Sequence, residues 1–150
     1  APPALAKAEQ TGAPAGALVM PDGSIVTGKT SALLGAASSL LINAAKKAAG
    51  VPHETWVIQD AALEPICSLK TGILGARNPR LHPNEMLIAL SISSSVNELA
   101  DQVVKGTKLL RGCDAFFSSI IPESDERLYK TLGINVSCEP CYESGRRFHK

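Results

Sequence analysis

No charge of one sign dominates this sequence. Its 15 Lys and Arg residues face 14 Asp and Glu, a formal net charge of +1 over 150 residues. Proteins that hold nucleic acid by its phosphates carry a marked basic excess, so the balance argues against a general nucleic-acid binder. Long apolar runs are missing as well. No stretch of 18 or more residues is uniformly apolar, so no transmembrane helix and no membrane partner are expected. No secretory signal pattern is visible. Cysteine is sparse: Cys67, Cys113, Cys138 and Cys141 are too few and too scattered for the disulfide framework of a small secreted domain. Reduced thiols and a cytoplasmic location are the expectation. There is no internal repeat, and no low-complexity tract beyond the Ala- and Pro-rich start.

What is present suits one packed domain. Hydrophobic residues make up 45% of the chain, which excludes wholesale disorder. Residues 1–16 lack apolar periodicity and read as a linker or the end of a preceding region. Residues 17–150 read as a single α/β domain. The first residue is not Met, which suggests a fragment of a longer protein.

Local signals then give the elements. Pro21-Asp22-Gly23 between Leu18-Val19-Met20 and Ser24-Ile25-Val26-Thr27 reads as a β-hairpin. Leu33, Leu34, Ala37, Leu40, Leu41, Ala44, Ala45 and Ala48 recur at helical spacing, with Thr30 or Ser31 as the cap and Gly50 as the stop. Thr55 to Ile58 reads as a buried strand, and Pro65 as the first turn of a short helix running toward Gly72. Residues 73–82 read as a loop. Pro83 opens a helix carrying Met86, Leu87 and Leu90, and Asn97 caps another. Ala115 to Ile121 reads as a strand. Ser124 or Asp125 caps a helix ending at Gly133, and Ile134 to Ser137 is a last short strand. Strands alternating with helices define an α/β class: a three-layer α/β/α domain with a mixed sheet and an N-terminal β-hairpin.

Four motifs carry possible chemistry. Gly23-Ser-Ile-Val-Thr-Gly28-Lys29-Thr30 matches the phosphate-loop pattern G-x-x-x-x-G-K-[ST]. Ile25 and Val26 favour a strand, however, where a phosphate cradle needs a flexible loop. The milder reading is a helix N-terminus at Lys29, Thr30 and Ser31 able to hold an anion. Asn78-Pro-Arg-Leu-His-Pro-Asn-Glu85 is the densest polar cluster, on a loop entering a helix. Arg80 can hold a carboxylate or phosphate bidentately. His82 exchanges protons near neutral pH, and Glu85 lies one turn away. The plainer reading is loop structure: Asn78 starting a turn, Glu85 offsetting the helix dipole. Cys138-Glu-Pro-Cys141 has the spacing of half a zinc site but no clear second pair, so no metal and no cofactor are expected. The tail Arg146 to Lys150 could touch an acidic partner or simply be solvated. The expected ligand site is therefore Lys29, Thr30, Ser31, Asn78, Arg80, His82 and Glu85, gathered at one end of the sheet.

Met20 to Ser31, Asn78 to His82, Leu87 to Ser93 and Leu132 to Pro140 together resemble the bacterial family of unknown function numbered 1846. The resemblance runs from about Gly16 to Lys150 and is to the C-terminal part of longer proteins. It implies an α/β C-terminal domain, with a three-layer topology of the cytidine-deaminase kind. Some family members have been labelled ATP-dependent peptidases. Deaminase chemistry itself does not carry over. It needs H-x-E and P-C-x-x-C, whereas His82 and Glu85 are three apart and Cys138 follows Ser137.

The expected role is a C-terminal domain that contributes to a small anionic ligand site or an oligomer contact of a longer protein. Its partners would be the N-terminal part of the same protein, a second copy, or a small anion. The alternatives are an enzyme domain acting on a phosphorylated or carboxylated small molecule, and an ATP-dependent peptidase. No catalytic residue is assigned.

Overall fold

The computed structural model describes residues 15–139. Residues 1–14, Cys141 and the basic tail lie outside the described residues, and with them most of the linker reading, the C-x-x-C pair and the tail contact.

The hairpin forms because Asp22 closes its turn. The Asp22 carboxylate accepts from the Ser24 N–H at 2.8 Å and the Ser24 hydroxyl at 2.6 Å. Gly23 takes φ +89°, which an L side chain rarely adopts. Strands β1 (Ala15–Val19) and β2 (Ile25–Lys29) then pair antiparallel, with Gly16 opposite Gly28 and Leu18 opposite Val26. β1 begins at Ala15, three residues before the strand expected at Leu18. The reason is tertiary: β1 also pairs with β3, and Ala15 exchanges hydrogen bonds with Ser118.

Strands β3 (Asp114–Phe117) and β4 (Asn135–Cys138) complete a mixed sheet of order β2-β1-β3-β4. β1 runs antiparallel to β2 and β3, and β4 runs parallel to β3. So β2, β3 and β4 point the same way, and their carboxyl ends share one end of the sheet. The α/β class, the mixed sheet and the hairpin are as the sequence led one to expect.

Helix α1 (Ala36–Ala49) lies directly on the hairpin. Its buried stripe of Leu40, Leu41, Ala44 and Ala45 faces the core. The approach is close: a Cβ on Gly28 would sit 2.4 Å from the Leu40 nitrogen. Gly50, at φ +76°, ends the helix as expected. The remaining helices are α2 (Asp60–Ser68), continued by a π-turn at Leu69–Ile73, α3 (Pro83–Ser93), α4 (Glu98–Gly106) and α5 (Glu123–Thr131). Asn97 caps α4 as expected, accepting from the Leu99 and Ala100 N–H groups.

α5 shares the α1 face of the sheet. Phe117, paired with Gly16, meets the Tyr129 ring edge-on at 5.5 Å, and the Tyr129 hydroxyl donates to the Ala37 carbonyl at 2.6 Å. Burial pushes the Tyr129 hydroxyl well above its ordinary pKa, helped by the charge of Asp125. α4 backs onto α1, with Gly106 against the Ala45 carbonyl. Among the described residues the layers therefore run sheet, α1 with α5, then the helices behind α1.

Five local readings need correction. α1 starts at Ala36, not at Thr30 or Ser31; the Ser31 hydroxyl instead accepts from Leu33 and Leu34 N–H groups in a turn. Thr55 to Ile58 is not a strand. Val57 and Ile58 are buried, but side chains take the backbone bonds a ladder would have made: Asn97 donates to the Val57 carbonyl, and the Gln59 N–H donates to the Ser93 hydroxyl. Pro65 lies inside α2, which begins earlier at Asp60. β3 stops at Phe117, and Asp125 is a buried first-turn residue of α5, whose cap is Pro122.

The close packing at Gly28 makes a prediction. Gly28→Ala should destabilise the domain by about 1–3 kcal/mol, because backbone cannot rotate out of the way as a side chain would. Gly72→Ala, with nothing within 4 Å of the added Cβ, should stay within about 0.5 kcal/mol. Urea unfolding of both variants checks the contrast.

Candidate functional site

A short parallel bridge joins two segments far apart in sequence. Leu34 pairs with Leu81: the Leu81 N–H donates to the Leu33 carbonyl at 2.8 Å, and the Leu81 carbonyl accepts from the Gly35 N–H at 3.3 Å. The same carbonyl accepts from the Ser38 hydroxyl at 2.7 Å. The Arg80 Nε donates to the Ser31 carbonyl at 2.7 Å. The residues after β2 and the polar loop before α3 thus become one surface.

That surface encloses a cleft of about 140 Å³, lined by Thr30, Asn78, Arg80, His82 and the first turn of α1, and closed by Ile121, Pro122 and Asp125. Three helices start around it. α1 and α5 follow the carboxyl ends of β2 and β3, and α3 follows the Arg80 loop. The caps of α1 and α5 are Gly35 and Pro122, which have no polar side chain to offer. No side chain caps the N–H groups at either helix start, and Ala36, Ala37 and Ser38 in the first turn of α1 are buried. Donors of that kind favour an anion. No carboxylate among the described residues pairs with Arg80. His82 Nδ1 lies 3.5 Å from the buried Asp125 carboxylate, an ion pair when the imidazole is protonated.

The expected residues divide. Thr30, Asn78, Arg80 and His82 line the one cleft. Ser31 holds Arg80 by its carbonyl and lies on the border. Lys29 lies elsewhere: at the exposed end of β2 it borders a separate groove with Asn43, Lys46, His53 and Trp56. Glu85 also turns away. It pairs with Lys70 at 2.7 Å and accepts from the His82 N–H at 2.9 Å. Lys70 donates as well to the Arg80 carbonyl. Glu85 and Lys70 therefore brace the loop that presents Arg80 and His82. Burial alone would raise the Glu85 pKa; the bonds from Lys70 and the His82 N–H, with the nearby positive charges, outweigh it and hold the carboxyl below its ordinary value. Asn78 is tied down too, accepting from the Arg80 N–H at 3.0 Å.

Sequence reasoning missed Gly35, Ser38 and Asp125. Asp125 carried a signal, a carboxylate three residues after Pro122, but it read as a helix cap. Ser38 carried none, because only the fold brings Leu81 to it.

The Walker-like match builds no cradle. Gly23 belongs to the hairpin turn, residues 25–29 are strand, and α1 begins six residues after Thr30. Among the described residues no three His, Cys, Asp or Glu side chains gather as a metal site, and no helix is long and apolar enough to cross a membrane. Cys67 and Cys113 are free thiols; burial and the Asp114 charge raise the Cys113 pKa.

Fold and cleft define an α/β domain with helix starts turned onto one polar hollow at the carboxyl ends of its strands. The chain matches the family described as domain of unknown function DUF1846, C-terminal, over residues 1–148, and it belongs to that family. It is 44% identical over 147 residues to a UPF0371 protein of Corynebacterium efficiens, covering 98% of this chain and 30% of that protein. A UPF0371 protein of Streptococcus thermophilus is 44% identical over 147 residues, with the same coverage. One from Streptococcus pyogenes is 42% identical over 144 residues, covering 96% of this chain and 29% of its own length. The chain thus spans about three tenths of the curated relatives it matches.

Two predictions follow from the site's construction. Glu85→Gln should cost about 1 kcal/mol at neutral pH, where the carboxylate holds Lys70 and the His82 N–H. Because the folded Glu85 pKa is lowered, that stability is complete above the ordinary carboxylate range and is lost as pH falls through the lowered value. The gap between wild type and variant should therefore close in acid, as read by thermal melts across pH. The second concerns ATP: with Mg²⁺ present, the domain should release no phosphate that depends on Lys29. A phosphate-release assay on wild type and Lys29→Ala decides it.

Proposed function

We propose that this domain supplies a binding cleft for a small anionic group to a longer protein. The supporting observation is the set of uncapped helix starts of α1 and α5 meeting Arg80 at one cleft. Size narrows the ligand. About 140 Å³ corresponds to a few water molecules at roughly 30 Å³ each, enough for a phosphate or carboxylate head and little more. Any larger ligand would place only its charged end here. Arg80 presents a planar donor fork, and the α1 first turn offers backbone N–H groups, which together match a tetrahedral or planar anion. Asp125 would be the one acidic group at the cleft among the described residues, and His82 beside it offsets its charge when protonated.

The His82–Asp125 pair also favours a second reading, an enzyme working on that phosphorylated or carboxylated small molecule. A carboxylate-oriented imidazole beside a bound anion can pass a proton to or from it. The strand running through the Walker-like match gives no comparable support to an ATP-dependent peptidase. The cytoplasm, where Cys67 and Cys113 would stay reduced, is the compartment this reading assumes.

Sulfate titration by calorimetry tests the binding proposal. Wild type should bind it, Arg80→Ala should bind about tenfold more weakly or worse, and Lys29→Ala should change binding by less than about twofold. Equal loss in both variants, or no binding in wild type, would overturn the assignment to this cleft.

A further inference from the structure

The surface of α3 carries an inference independent of the anion cleft. From Met86 to Asn97 the chain has no charged residue. One side of α3 packs inward through Met86, Ala89 and Leu90, all fully buried. The outward side carries two large aliphatic side chains beside the exposed Ser91: Ile88 is 56% exposed and Ile92 55%, and Val96, in the turn after the helix, is 73% exposed. An outward helix face of charged residues is the usual pattern for one facing water, and this face has none past Glu85. The neighbouring π-turn adds Ile73 and Leu74, exposed by 79% and 67%. The Lys70–Glu85 ion pair ties that turn to the first turn of α3. Most of the large exposed apolar side chains among the described residues fall between Leu69 and Leu99. Such a concentration marks an interaction surface rather than chance exposure.

We infer that this face, centred on Ile88, Ile92 and Val96, docks against the part of the longer polypeptide that lies outside this chain. The occupant would present a complementary apolar surface with little charge. Length is the reason for that choice. The relatives are matched over only 29–30% of their length, and the matched family unit is a C-terminal one. Some seven tenths of such a polypeptide is tethered to this domain, at an effective concentration of order millimolar, before any second copy is met. An uncharged helix face suits that permanent partnership better than a transient one, whose interfaces are more polar.

Thiol labelling of the full-length protein tests the inference. Ile92 is 55% exposed in this domain, so Ile92→Cys leaves the domain's own core intact, and peptide mass mapping separates its label from those of the native cysteines. The reference is the same variant unfolded in urea. Docking predicts that Cys at this position reacts with maleimide at least tenfold more slowly in the folded protein, with no dependence on protein concentration. Labelling as fast as in the unfolded reference would overturn the proposal. Protection that disappears on dilution, together with a fall from dimer to monomer mass, would overturn it in favour of a second copy.

Discussion

The Leu34–Leu81 bridge is the joint on which the arrangement at the top of the sheet depends. Both backbone groups of Leu81 are used there, and Ser38 adds a third bond to its carbonyl. The joint is buried, so each bond broken would leave a donor or acceptor away from water at a cost of about 1–3 kcal/mol. That cost holds the chain after β2 against the loop before α3. The starts of α1 and α3 are thereby set side by side, and Arg80 is carried to the Ser31 carbonyl.

Around that joint, ordinary packing does the rest. Small residues let α1 settle onto the hairpin, and Gly28 marks the nearest approach. Phe117 and Tyr129 lock α5 to the same face, and the buried Tyr129 hydroxyl spends its hydrogen bond on Ala37 at the start of α1. The start of α1 is therefore coupled to the last turn of α5 through one tyrosine. Because β2 and β3 run the same way, the helices that follow them begin at the same end of the sheet, where open α/β sheets gather their ligand sites. The cleft follows from strand direction, not from any one motif.

Charge is distributed accordingly. The loop that presents Arg80 and His82 is braced from behind by Lys70 and Glu85, which neutralise each other and leave Arg80 without an acidic partner among the described residues. Past Glu85, from Met86 to Asn97, the chain carries no charge. One segment thus carries two surfaces: its polar entry faces the cleft, and its outer side exposes Ile88 and Ile92. Replacing groups on one surface should leave the other intact, since Glu85 and Ile92 lie nearly two helical turns apart.

Much of this was legible in the residues. The hairpin was declared by Pro21-Asp22-Gly23, α1 by its Leu and Ala spacing and Gly50, α3 by Pro83, and α4 by Asn97, because each signal acts over a few residues of backbone. The resemblance to the family was legible too, in stretches that span most of the chain. Thr55 to Ile58 was misread because a buried apolar run looks the same whether a strand or side chains satisfy its backbone. The site was half legible. Arg80, His82, Asn78 and Thr30 were nameable as polar groups near helix starts, but local sequence could not separate them from Lys29 and Glu85. Only the fold decided that separation: the Leu81 joint draws one set to the cleft, while the strand pleat and the Lys70 pair take the other two away. Ser38, Gly35 and Asp125 entered for the same reason, since contacts between residues more than forty apart are a property of the folded chain and not of any window along it.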